Sequence, residues 1–183
     1  MVSRKICIFG ASADKLDETL IRQVTDFSEK LGKAGFSLVF GGFSNGLMKA
    51  SADGFAKAGT AITGVVPESL TRNRTIYPGC TEIIRTIDLD ERKKKMTDLA
   101  DAFIAVPGGI GTIDELFGVL TRRFIGETAK PLALYNPDGF FDSFIMWMKE
   151  LENKGFIYDG LDKLLLVSDD PDTIIQYLSD LTN

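Results

Sequence analysis

Apolar residues are distributed along this chain in two alternating patterns. Short runs are apolar almost throughout: "KICIF" (5–9), "FSLVF" (36–40), "AITGVV" (61–66), "TEIIRT" (81–86), "AFIAV" (102–106), "PLALY" (131–135) and "LLLV" (164–167). Strands buried on both faces read this way. Between them, apolar positions recur every three or four residues, which predicts helices over 17–34, 46–58, 89–100, 112–125, 140–154 and 171–181. Regular β-α alternation predicts an α/β fold, a Rossmann-like doubly wound parallel sheet with helices on both faces. The chain contains no internal repeat, low-complexity segment or linker, so residues 1–183 are expected to form a single domain. The longest stretch without an obvious element is "PESLTRNRTIYPGC" (67–80), and a loop of that length in a compact domain is more often functional than idle.

Composition narrows the chemistry. The formal charge of −5 is spread without long blocks, which argues against a general nucleic-acid binder. The two cysteines, Cys7 and Cys80, make no disulfide framework, and no apolar run could serve as a signal core or span a bilayer. A cytoplasmic protein without membrane partners is expected. There is no histidine, so histidine bases and histidine–zinc sites are excluded. Acid–base work falls to carboxylates, Lys, Tyr or Cys, and no metal or other cofactor is implied.

Three strands run straight into small-residue turns and then helices: "FGASAD" (9–14), "GGFSNGLM" (41–48) and "PGGIGTID" (107–114). In a parallel sheet these turns share the carboxyl edge, where ligands of this architecture bind. Glycine lets backbone N–H groups approach an anion, and a helix N-terminus favours negative charge. One such turn is unremarkable, because strand-to-helix turns need glycine anyway; three on one edge point to a phosphate-bearing ligand. Familiar nucleotide signatures do not fit. Gly41 and Gly46 have P-loop spacing, but Leu47 and Met48 stand where Lys and Ser/Thr are required. "GGIGTID" lacks the third glycine of a dinucleotide fingerprint, and the second strand ends in Phe40-Gly41 rather than an acid.

Thr112-x-x-Glu115 reads two ways. As a capping box, Thr112 caps the amide three residues on and Glu115 reaches back. Alternatively, if the loop holds phosphate, Glu115 should turn toward another part of the ligand. In "LDERKKKMTDLADAF" (89–103), Leu89, Met96, Leu99 and Ala100 mark one helix face. Arg92 and Lys93 fall on that inward stripe, while Lys94 and Lys95 fall opposite. An inward Arg either snorkels or meets a phosphate or carboxylate in the crevice.

Together these residues resemble the Lonely Guy (LOG) family, nucleoside 5′-monophosphate phosphoribohydrolases whose relatives are often labelled "possible lysine decarboxylase". The family's PGGxGTxxE motif is matched by Pro107, Gly108, Gly109, Gly111, Thr112 and Glu115, and its upstream Arg-Lys pair by Arg92 and Lys93. The resemblance extends from "ICIFGAS" through "KPLALYNPDGFFDSF" to "LLLVSDDPDTI". There are departures. The family's GGGxxGLMG is "GGFSNGLMK" here, with Phe43 for the third glycine and Lys49 for the last. The first turn, usually CGSS, is Gly10-Ala11-Ser12-Ala13, and Leu89-Asp90 replaces Met-His. The acidic residue often found in the loop after strand three falls at Asn73 or Arg74. A pyridoxal-phosphate decarboxylase fits poorly, because no lysine lies in a recognisable cofactor motif.

The resemblance implies hydrolysis of the N-glycosidic bond of a purine nucleoside 5′-monophosphate, adenine or N6-modified adenine, to free base and ribose 5-phosphate. Arg92 and Glu115 are the implied catalytic residues. Substrate contacts are expected from Ser12, Gly42, Gly46, Met48, Lys93, Gly108, Gly109, Gly111, Thr112 and Thr121. The alternative on the same fold is a carrier of a phosphorylated ligand, such as molybdenum cofactor, that does not hydrolyse it. A homodimer is also implied. The helix expected over 140–154 is apolar around much of its circumference, more than a one-faced surface helix needs. The dimer is expected to place helices 89–100 and 112–125 near its interface.

Overall fold

The alternating pattern closes into one seven-stranded sheet in a computed structural model, which describes residues 4–158 and 160–181. The remaining positions of the expected 1–183 domain lie outside the described residues. The strands are β1 (Lys5–Phe9), β2 (Ser37–Phe40), β3 (Ile62–Pro67), β4 (Glu82–Thr86), β5 (Ala102–Ala105), β6 (Leu132–Tyr135) and β7 (Leu166–Ser168). Their order is β4-β3-β2-β1-β5-β6-β7, and every neighbouring pair is parallel. The helices are α1 (Glu18–Lys33), α2 (Gly46–Lys57), α3 (Leu89–Leu99), α4 (Ile110–Phe124), α5 (Asp142–Asn153), α6 (Leu161–Leu164) and α7 (Pro171–Leu181). The fold is therefore the expected Rossmann-like arrangement.

The apolar strands are explained by burial on both faces. Ile6 and Ile8 of β1 pack with Phe27 and Leu31 of α1, Leu47 and Phe55 of α2, and Ile174 and Leu178 of α7. Cys7 and Phe9, pointing the other way, pack with Met96 of α3, Leu116 and Val119 of α4, and Met148 of α5. The two-residue alternation of a strand thus serves two separate cores.

Chain order places the site. From β1 the chain steps outward through β2 and β3 to β4, then returns to lay β5 on the other side of β1. The turns after β1 and β5 diverge there, opening a crevice at the carboxyl edge of the sheet. Ala11 N–H donates to Pro107 O at 3.1 Å and holds the two turns together at the base of that crevice.

Three details differ from the sequence expectation. The strand expected over 164–167 begins at Leu166, because Leu164 closes the short helix α6 over residues 161–164. Leu161, Leu164 and Leu165 are all needed in the lower core, and a helical turn points them there together. Before α5, Pro137–Gly139 make a 3₁₀ turn, so that helix starts at Asp142. Finally, α4 starts at Ile110, with Gly109 at its N-cap, two residues before Thr112.

Candidate active site

The early start of α4 changes the reading of Thr112 and Glu115. Thr112 sits in the first turn rather than at the cap, and its side chain is buried against Gly108, where an added Cβ would collide with it. No side chain caps α4. The expected capping box does not form. Reciprocal capping occurs instead at α3, where Asp88 accepts from Glu91 N–H at 2.8 Å and Glu91 accepts from Ile87 N–H at 2.7 Å.

Glu115, a turn further along α4, is free to turn inward. Its Oε1 accepts from Arg92 Nη1 at 2.8 Å, and both side chains are about nine-tenths buried. Arg92 Nε donates to Val65 O at 3.1 Å, so α3, β3 and α4 together fix the guanidinium. Gly41 is required by this arrangement, because a Cβ there would occupy the space of the Arg92 side chain. Burial pushes the Glu115 carboxyl above its usual range, against the opposing pull of the Arg92 charge. Cys7, beneath the pair in β1, has a thiol pushed well up, first by burial and then by the Glu115 charge; it is not a nucleophile.

Arg92 and Glu115 form one wall of a cleft of about 420 Å³, a size suited to a small molecule. Ser12, Met48, Gly109, Gly111 and Thr112, named from the sequence as substrate contacts, also line it. Space beside Gly109 and Gly111 is open, with no atom beyond the adjoining chain within 4 Å of an added Cβ. At the α2 N-terminus two of the first-turn donors are taken within the chain. Leu47 N–H and Met48 N–H both donate to Ala11 O, at 2.8 and 3.2 Å. Gly42 and Gly46, expected as substrate contacts, do not line the cleft. Gly46 has φ +54° and lies so close to Ala11 O that only glycine fits. The uncapped helix end facing the cleft is that of α4.

Gly108, Lys93 and Thr121, also expected at the site, do not line this cleft. Lys93 is partly exposed, pairing with Asp114 at 3.1 Å and Asp90 at 3.6 Å, and the Asp114 hydrogen bond raises its pKa. Arg92 and Lys93 are adjacent on a helix, about 100° apart, so only one can point at β3. Lys93 and Thr121 instead line a second groove, of about 560 Å³, between α3 and α4. Glu115 borders both spaces. Leu89, expected to point inward, is half exposed at the cleft mouth.

The cleft also contains residues not singled out as ligand contacts from the sequence. Leu70 and Arg74 enter from loop 67–80, and Phe43 from the turn after β2. Arg74 Nη1 donates to Ser12 Oγ at 3.3 Å, and its guanidinium carbon lies 5.4 Å from the centre of the Phe43 ring. Among the described residues, no cluster of His, Cys, Asp and Glu is arranged to hold a metal.

Comparison with known proteins gives consistent matches. A family model described as "Possible lysine decarboxylase" matches residues 48–178. The chain is 33% identical over 163 residues to the cytokinin riboside 5′-monophosphate phosphoribohydrolase LOG of Oryza sativa subsp. japonica, covering 89% of this chain and 67% of that one. It is 30% identical over 177 residues to LOG2 of Arabidopsis thaliana, covering 97% and 83%. Among solved structures, a molybdenum cofactor binding protein from Rippkaea orientalis superposes with a TM-score of 0.75 at 18% identity, covering 100% of this chain and 99% of that one. A Moco carrier protein from Chlamydomonas reinhardtii superposes at 0.74 with 21% identity, covering 98% and 97%. These two likenesses establish the fold.

Proposed function

The chain belongs to the LOG family, matched by the model described as "Possible lysine decarboxylase", and on that premise we propose that it hydrolyses the N-glycosidic bond of a purine nucleoside 5′-monophosphate. The observation that carries this reading is the buried Arg92–Glu115 pair on the wall of the cleft that receives the uncapped end of α4.

The phosphate sits at the N-terminus of α4, against the open backbone at Gly109 and Gly111, where unpaired N–H groups and the helix dipole favour an anion. Glu115 faces the ribose. As the bond from the base to the anomeric carbon breaks, its electron pair leaves with the base and positive charge grows on the ribose. A fixed carboxylate stabilises that charge or orients the water whose oxygen bonds to the anomeric carbon. Arg92 holds Glu115 in place, and its charge opposes the effect of burial on the carboxyl. It cannot donate a proton, since guanidinium stays charged in proteins. The products are free base and ribose 5-phosphate.

A carrier of a phosphorylated ligand needs the helix end but has no use for a buried carboxylate beside it. Holding Glu115 charged there works against its desolvation. That favours hydrolysis over carriage. Incubating the protein with a panel of purine nucleotides and measuring free base and ribose 5-phosphate tests the reading, and release from none of them overturns it.

We further propose a homodimer formed through α3, α4 and α5. Met146 and Trp147 of α5 are 68% and 48% exposed, and Phe140 before it is 50% exposed. Only Met148 of α5 is fully buried, so the apolar circumference of this helix is not used up within the chain.

A further inference from the structure

Two positions at which this chain departs from the LOG pattern touch each other. Phe43 stands where the family motif has its third glycine, and Arg74 is one of the two positions, with Asn73, at which the following loop often carries an acid. The Phe43 ring is fully buried and supports the Arg74 guanidinium at 5.4 Å. Ser12 Oγ fixes the same guanidinium from the side, at 3.3 Å. Among the described residues Arg74 makes no ion pair, whereas Arg92 in the same cleft is engaged by Glu115 and Val65 O. Arg74 is therefore an oriented cation whose hydrogen-bonding capacity is largely unused.

Its position defines what it can serve. Arg74 and Ser12 line the same cleft as Gly109 to Thr112. We propose that Arg74 is a specificity-determining residue that grips the ligand's phosphate opposite the α4 N-terminus, with Phe43 as its platform. The proposal rests on the nucleotide-hydrolase reading of this cleft and deepens it. Planar guanidinium suits phosphate because two N–H groups can meet two oxygens. Stacking on Phe43 leaves the edge of the guanidinium, where those N–H groups lie, available to a ligand. An acid in place of Arg74 would repel phosphate, whereas the guanidinium attracts it. Arg74 does not touch the bond that breaks, so its effect falls on KM and leaves kcat nearly unchanged.

The test is equilibrium binding of ribose 5-phosphate by calorimetry, paired with steady-state kinetics on AMP and adenosine. Arg74→Ala is expected to weaken ribose 5-phosphate binding by about tenfold or more, the scale of a lost charge-assisted contact. It should raise KM for AMP similarly, while kcat for AMP and kcat/KM for adenosine change less than about twofold. Arg74→Glu should weaken binding further. Phe43→Leu, which keeps the packing but removes the ring, should weaken binding by a smaller factor, with the fold checked by circular dichroism. Arg72→Ala, at an exposed arginine of the same loop, should leave binding unchanged. If Arg74→Ala binds ribose 5-phosphate as the wild type does, or loses adenosine and AMP turnover equally, the proposal is overturned. Failure of the wild type to release base from any nucleotide overturns the hydrolase reading instead, and the ribose 5-phosphate constants still decide the role of Arg74.

Discussion

Arg92 and Glu115 form a buried ion pair, and such pairs are sensitive to losing one member. Removing one partner leaves an uncompensated charge, which costs about 3–5 kcal/mol, whereas replacing both with apolar groups is often neutral. Glu115→Ala and Arg92→Ala are each expected to destabilise on that scale in denaturant unfolding. An Arg92→Leu/Glu115→Leu double variant should cost clearly less than the sum of the two single losses, and additivity would contradict the pairing. Glu115→Gln should be milder, because its amide oxygen still accepts from Arg92 Nη1. The raised pKa of Glu115 also has a sign. The folded state holds this proton more tightly than the unfolded chain, so ionising Glu115 costs stability as pH rises from 4.5 to its raised value. That slope should vanish in Glu115→Gln. Activity should move oppositely: if the carboxylate must be ionised, kcat/KM falls as pH drops through the raised pKa. An acid limb at or below 4.5 would contradict this assignment.

Element by element, α4 is where sequence and structure diverge most instructively. Its N-terminus was readable as a glycine-rich helix start, but Thr112 and Glu115 matched a capping pattern so well that the true N-cap, Gly109, was hidden. Local spacing shows which caps a sequence can form; whether Glu115 turns back or inward depends on Arg92, a neighbour brought in by tertiary packing. The same limit explains Lys93, since periodicity could not separate two adjacent cations on α3. The strands were readable because burial on both faces leaves an unbroken apolar signature. The start of β7 was not, because Leu164 and Leu165 continue the apolar run of Leu166 and Val167 although Leu164 closes a helical turn. In the sequence Arg74 is only a departure in a loop, and its support by Phe43 depends on folding. The free end of α4 leads to its own prediction. AMP should be cleaved with kcat/KM at least about a hundredfold above adenosine, the equivalent of one or two charge-assisted hydrogen bonds. Comparable values for the two would remove phosphate from this helix end. At the other end of α4, Arg123 donates to the carbonyls of Leu164, Lys163, Ala129 and Lys130, tying the helix to α6 and to the approach to β6. Arg123→Ala should cost about 2–4 kcal/mol in stability through these charge-assisted bonds, while the cleft residues stay in place.

At the scale of the whole molecule, one parallel sheet supplies the site through its order. The return from β4 to β5 opens the crevice beside β1, and strand ends and helix starts bring Ser12, Arg92, the α4 N-terminus and Glu115 to it. The exposed apolar face of α5 leads to the dimer expectation; light scattering at micromolar concentration should give twice the chain mass, and a monomer would contradict it. The central claim is that Glu115 acts on the ribose of a bound nucleotide rather than merely holding Arg92. Its most direct test is free-base release from AMP by the wild type and by Glu115→Gln, with Lys95→Ala, an exposed change on α3, as control. The account predicts release of base with ribose 5-phosphate by the wild type and the control, and a fall of about a hundredfold or more in Glu115→Gln while it remains folded. Turnover of AMP by folded Glu115→Gln at close to the wild-type rate would contradict it.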